Sequence, residues 1–415
     1  MPVFIGSTPN VQTDDLLLAK DILNGEKDIN GSIDELKSKF HDEVFLFNRG
    51  RDSLFFFLNL LNLKDDDEVL VQAFTCVAVV APLLWSKAKP VYVDIDPKSF
   101  NMDLDLLREK ISEETRVILI QHTFGNLADV RRVREFVDGV NNEREEERKI
   151  YIIEDCAHLF TNNFFELNIG QYSDAFFFSF SQDKAISCTQ GAMLVVKDPV
   201  LLPEAQKEYV SVKELSLSEA MYNAKYITLW NRIKESYFKR VVPFTNITLG
   251  RILIILFRLL GIIKKQASND TLMFSEPKKL SEIQACLLLN QLGKSEELNK
   301  HREKIVNIYH TGIKDELRFN SINGPLLRYP ILISNREEVK EKLKEKGIIG
   351  GIWYSSVVFP LMGNLNLVNY KLGDCPNAEM CAKSIFNLPT NIETTENDVN
   401  DIVDVVNTFA NPSKF

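Results

Sequence analysis

The chain holds 415 residues, 45% of them hydrophobic and 26% charged, with a formal net charge of -9 at pH 7. That length buries a large core, most simply as two lobes, and the acidic balance argues against a protein that tracks nucleic-acid phosphates, which carries a basic face. The six cysteines, Cys76, Cys156, Cys188, Cys286, Cys375 and Cys381, are scattered without a CxxC pair or a histidine cluster, which speaks against a disulfide framework or a zinc site and fits a reducing cytoplasm.

The start, MPVFIGSTPN, has no basic region followed by an apolar stretch, so no signal peptide is expected. Residues 1–40 mix loop signals with short helical pieces and are expected to dock onto the main body. VFLFN at 44–48 reads as a short buried strand running into an apolar helix that starts after Gly50. Strand, glycine, helix directs free backbone N–H groups at an anion, although a plain helix start capped by Asp52 or Ser53 is the simpler reading of this segment taken alone. Strands VLVQA, PVYVDI and RVILIQH then alternate with helical segments, which predicts a parallel or mixed sheet with helices on both faces. His122 ends the third of these strands, where a histidine is more often structural than catalytic. Residues 131–149, rich in Arg and Glu, read as a helix with a solvated face.

The organising stretch is 151–196. The apolar run Tyr151 to Ile153 ends in Glu154 and Asp155, and Ala175 to Phe178 ends in Ser179. Each looks like a buried strand that delivers polar groups at its carboxyl end, the edge where open α/β sheets hold ligands. Lys184 follows on a small, polar segment beside Asp183. A lysine at that mouth, with a carboxylate from the neighbouring strand, suits a cofactor bound through its aldehyde, the carboxylate keeping a ring nitrogen protonated.

Residues 201–273 are the least typical part. The piece apolar from Ile252 to Ile263 is interrupted by Arg258 and is too short and too charged to span a bilayer. Burial against the protein is the expected outcome; contact of 247–265 with a membrane surface, aided by Arg251, Arg258, Lys264 and Lys265, is the second possibility. From Lys278 one long helix is expected to link the lobes, followed by a small α+β lobe. The domains read as 1–275, a large α/β unit carrying the 201–273 insertion, and 276–415, the linking helix and small lobe.

The order Asp155, His158, Ser179, Lys184 resembles the cofactor site of the DegT/StrS family of pyridoxal-phosphate sugar aminotransferases, in which an EDxAQ or EDxAH strand end precedes an SFxxxK segment. The resemblance runs in order through 69–103, 114–130, 278–292, 343–354 and 384–399, nearly the whole chain. It implies an α/β fold of type I, like aspartate aminotransferase, with a large mostly parallel sheet and a small α+β carboxyl-terminal domain, and pyridoxal 5'-phosphate as cofactor. It further implies that Lys184 holds the cofactor aldehyde, that Asp155 pairs with the ring nitrogen, and that His158 meets the phenolic oxygen or ring face. Ser179, with Gly50 and Arg51 in place of the family's GTxAL segment, would hold the phosphate. Cys76 stands where relatives often stack an aromatic ring on the cofactor. Pro277 and Lys279 occupy an NYR-like segment whose asparagine reaches the partner subunit's phosphate, leaving Lys278 or Lys279 as point charges, and WYSSVVFP lacks the histidines of relatives. The implied substrates are glutamate or glutamine as amino donor and a nucleotide-linked keto sugar as acceptor, handled by a homodimer. A sugar dehydratase of the same fold, whose relatives carry histidine in place of Lys184, and a non-catalytic regulatory or scaffold protein are the alternatives.

Overall fold

A computed structural model describes residues 3–6, 10–161, 163–241, 248–263 and 267–413. Seven strands form the main sheet: β1 (Phe45–Phe47), β2 (Glu68–Gln72), β3 (Lys89–Val93), β4 (Thr115–Gln121), β5 (Tyr151–Asp155), β6 (Ala175–Ser179) and β7 (Ala192–Val196). They lie in the order β1-β7-β6-β5-β4-β2-β3. The pairs from β6 across to β3 are parallel, and β7 alone is reversed, antiparallel to both β6 and β1. The expected mostly parallel sheet is therefore present, and its register sets Gln121 beside Asp155 and Asp155 beside Phe177.

These strands are apolar because both faces are covered. Every residue of β4 and of β6 is buried. Successive side chains enter opposite layers: Phe177 joins one core with Phe47, Val71, Leu119 and Ile153, while Phe176 and Phe178 join the other with Leu46 and Met193. The Gly50–Leu60 helix lies on β6 and β7, so its amino terminus reaches the carboxyl end of the sheet.

Further along, an antiparallel pair joins Arg328–Leu332 to Ile385–Pro389, with helices Arg336–Glu345, Pro376–Ser384 and Glu396–Phe409 around it. Two short parallel pairings tie this part to the rest: Val3–Phe4 with Ile348–Ile349, and Val358–Phe359 with Thr75–Cys76. The second draws residues 353–358 over the sheet's carboxyl edge.

Three expectations are corrected. The single long helix after Lys278 is two, Glu282–Leu292 and Ser295–Gly312, separated at Gly293 and Lys294. The helix expected over 131–149 is Val130–Asn141. The Gly50 helix is not capped by Asp52 or Ser53: its N-cap is Arg49, the Asp52 carboxylate is held by the Arg49 guanidinium, and the Ser53 hydroxyl donates to the Gly50 carbonyl.

The atypical stretch folds as helices Leu201–Ser211, Leu217–Ser236 and Leu249–Leu259. The last packs on Leu217–Ser236 through Leu253, Ile254 and Phe257, which meet Tyr226, Trp230 and Ile233, with Gly250 against Tyr237. Expected burial holds for that stripe alone, since Ile252, Ile255, Leu256 and Leu259 stay exposed. Lys264 and Lys265 lie outside the described residues. Among those described, no helix is long and apolar enough to cross a membrane.

Candidate active site

Adjacent acids at the end of β5 alternate to opposite faces and meet different fates. Glu154 is saturated, accepting from Gly170 N (2.8 Å), from the Ser173 hydroxyl (2.5 Å) and from His122 Nε2 (3.0 Å). Since His122 Nδ1 accepts the Ala128 N–H, its proton sits on Nε2 and its role is structural. Asp155 is as deeply buried, yet among the described residues its carboxylate receives a single hydrogen bond, from Ala157 N at 2.9 Å. Burial pushes its pKa up, opposed by that bond and by the charge of Lys184.

Lys184 sits on the loop between β6 and β7. Its backbone N–H bonds the Ser181 carbonyl, and the Asn10 amide holds the Lys184 and Ala185 carbonyls at 2.9 and 3.0 Å. The Arg302 guanidinium also donates to the Ala185 carbonyl. The backbone is thus clamped while the amine is half-exposed, 5.0 Å from the centre of the Trp353 ring. Its charge acts on Asp155, Cys76 and His158, which places all four at one mouth.

Around that mouth, His158 stacks between Phe124 and Trp353. Its Nδ1 accepts the Phe124 N–H at 3.0 Å, so the proton rests on Nε2 and is donated to the Tyr354 hydroxyl at 3.1 Å. Burial, then Lys184 and Arg328, hold the His158 pKa well below the usual value, and the ring stays neutral. Both ring nitrogens are engaged, and the Tyr354 O–H proton is left to be donated elsewhere.

Opposite lies Arg328, 3% exposed, its guanidinium carbon 3.4 Å from the Trp353 ring centre. One nitrogen is 3.7 Å from Asp183, a loose ion pair, and its buried Nε has no hydrogen-bond partner among the described residues. Burial lowers its pKa to about 10. A buried guanidinium with an unsatisfied N–H is costly unless an anion completes it.

A second such group stands at the Gly50 helix. Arg51 Nε is buried without a partner, because Asp52 is already held by Arg49. Burial, with Arg49 nearby, brings the Arg51 pKa down to about 10. A Cβ on Gly50 would lie 3.4 Å from Ser179 Cβ, so this helix end and the serine are neighbours. The Ser179 hydroxyl reaches only the Ser181 hydroxyl, at 3.5 Å. Cys76 is the N-cap of Val77–Trp85, its sulfur accepting from Ala78 N, and burial raises its pKa.

The sequence profile of the DegT/DnrJ/EryC1/StrS aminotransferase family matches residues 37–226 and 247–407. The chain belongs to that family. An uncharacterised protein of Methanocaldococcus jannaschii is 25% identical, the match covering 92% of this chain and 94% of that protein. GDP-perosamine synthase of Escherichia coli O157:H7 is 29% identical over a shorter stretch, 37% of this chain and 40% of the enzyme. A sugar aminotransferase structure from Streptococcus pneumoniae in its PMP form shares the fold with a TM-score of 0.70 at 20% identity, over 97% of this chain and 98% of its own.

Family membership makes pyridoxal phosphate the cofactor to test against these residues, and they fit. The amine of Lys184 suits the aldehyde, the under-bonded Asp155 suits a protonated ring nitrogen, and the helix end at Gly50 with Ser179 and the unpartnered Arg51 Nε suits the phosphate. Lys278 and Lys279 pair instead with Glu219 and Glu214 of the same chain, so a phosphate contact to a partner requires those pairs to open. His122, Glu154 and Cys156 place ligand atoms together, but the hydrogen bonds above already occupy the first two.

Sequence reasoning missed Arg328, Asn10 and Arg302. The signal for Arg328 was a lone arginine in the apolar run LLRYPILI; Asn10 and Arg302 act on backbone carbonyls and leave no pattern.

Proposed function

We propose that this family member is a pyridoxal-phosphate aminotransferase that moves an amino group from glutamate or glutamine to a keto sugar, nucleotide-linked, in amino-sugar or surface-polysaccharide synthesis. The observation that carries the reading is Lys184 with its loop clamped and its amine over Trp353, near enough for its charge to act on a buried, under-bonded Asp155. When bound, the cofactor supplies an electron sink that stabilises negative charge at the substrate carbon.

The chain's own residues do the rest. Asp155 keeps a proton on the ring nitrogen, which its buried charge favours. Lys184 Nζ would hold the cofactor aldehyde and, as a free amine, would carry a proton to and from the substrate carbon. Neutral His158 fixes the Tyr354 hydroxyl, whose remaining proton points to the phenolic oxygen or the substrate. His158 thus acts through Tyr354 as a positioning residue. Arg328, loosely paired with Asp183 and with its Nε left open, receives a donor carboxylate with Trp353 beneath it. Gly50, Arg51 and Ser179 hold the phosphate. Cys76 offers a smaller face to the ring than an aromatic side chain would.

We read the enzyme as cytoplasmic, supported by six cysteines that are all free, and as a homodimer with domains 1–275 and 276–415. Lys184 disfavours the dehydratase alternative. The deciding experiment is the absorption spectrum with pyridoxal phosphate, for wild type and Lys184→Ala, before and after glutamate. A near-visible band that needs Lys184 and shifts with glutamate supports the reading. No lysine-dependent band returns the chain to a scaffold role.

A further inference from the structure

The Leu249–Leu259 helix carries two apolar stripes, and the protein covers one. Gly250, Leu253, Ile254 and Phe257 face the Leu217–Ser236 helix. Ile252, Ile255, Leu256 and Leu259 repeat the same spacing on the far side, where Ile255 is 60% and Leu259 81% exposed. A surface helix needs a single apolar stripe, so the second calls for a cover of its own. Leu260, Ile262, Phe238 and Val241 extend the exposed patch.

The charges within this segment have one sign. No Asp or Glu occurs between Glu235 and Asp270, in a chain whose net charge is -9. Lys239 and Arg240 are exposed beside the helix start, where Leu249 N bonds the Lys239 carbonyl, and Arg258 is exposed in its last turn. None of these three has an ion-pair partner among the described residues. Arg251 faces Glu341 on the Arg336–Glu345 helix and stays with the protein.

We infer that this face docks on an anionic lipid surface, helix axis in the plane of the membrane, with the apolar stripe in the acyl boundary and the cations at headgroup level. An 11-residue helix spans about 16 Å, too little to cross. Apolar bulk flanked by unpaired cations is the composition such surfaces bind. A second copy of the chain fits less well: a two-fold contact sets the patch against itself, and the patch has no acid to meet its own cations. This inference does not rest on the transaminase reading, because binding is read without substrate.

The test is co-sedimentation of the full chain with phosphatidylcholine vesicles, with and without phosphatidylglycerol, at low and high salt. Wild type is expected to sediment with the anionic vesicles, less at high salt and less with neutral ones. Ile255→Glu with Leu259→Glu is expected to lower the bound fraction at least about tenfold, with solution mass, melting temperature and cofactor absorption unchanged. Arg258→Glu, which leaves the stripe intact, is expected to weaken binding to anionic vesicles about fivefold and to neutral ones not at all. Failure of wild type to bind anionic vesicles at low salt overturns the inference, as does a double variant that binds like wild type. A double variant of lower solution mass overturns it too, giving the face to a second copy.

Discussion

The sheet mouth and the Leu249–Leu259 hairpin are both surfaces left incomplete, in opposite ways. At the mouth, packing is finished and polar valences are not: Arg328 Nε and Arg51 Nε are buried without partners, and Asp155 has one hydrogen bond where its neighbour Glu154 has three. At the hairpin it is apolar area that is left uncovered. A buried polar group awaiting a partner selects a small ligand of matching charge, whereas an exposed apolar stripe selects an extended surface.

If the mouth is a cofactor site, its residues should fail chemically before they fail structurally. The largest effect is expected for Lys184→Ala, a loss of glutamate half-reaction on the order of a thousandfold or more, measured by stopped-flow absorbance, with melting temperature retained. Asp155→Asn should slow that step by about a hundredfold. The same change should leave the cofactor-free protein at least as stable as wild type at pH 8. The sign follows from a raised folded pKa: stability is full below the unfolded value and is lost as pH rises through the folded one, so above it the aspartate is a destabilising buried charge. Scanning calorimetry against pH decides this, and an Asn variant markedly less stable at pH 8 would contradict it.

Arg328→Leu should raise the donor's KM about tenfold to a hundredfold, as expected for losing a charge-assisted hydrogen bond, and leave kcat for bound donor much less changed. An unchanged KM would remove Arg328 from the donor site. The hairpin should answer differently. Gly250→Ala puts a Cβ 2.4 Å from Tyr237 Cα. Overpacking of that kind costs about 1–3 kcal/mol, so proteolysis should quicken near 237–263 while the cofactor absorption stands. The smallest effect concerns His158. Its pKa is depressed by burial, so the stability it contributes is present above about pH 6.5 and falls as pH drops below, by about 1.4 kcal/mol per unit. His158→Gln should flatten that slope in calorimetry.

Much of the mouth was legible in the sequence because strand ends write themselves locally. An apolar run buried on both faces that stops at a carboxylate or a serine marks the carboxyl edge of a parallel sheet, and Asp155, Ser179 and Lys184 follow from it. The pairing of Glu154 with His122 was not legible, since adjacent acids look alike until the pleat sends them to opposite sides. Likewise the run after Lys278 keeps one helical pattern through Gly293, and only packing on two different neighbours breaks it.

What the sequence determined by itself was the alternation of strands and helices, the family, and the groups that end the central strands, because each is encoded by residues close together along the chain. Tertiary structure decided the rest. Asn10 reaches the Lys184 carbonyl across 174 positions, and Arg328 meets Trp353 because the strands at 328–332 and 385–389 close on each other. It also decided which stripe of an all-apolar helix is covered. Periodicity reports how a helix divides its own faces; which of those faces meets a neighbour depends on chain closure, which no local pattern records.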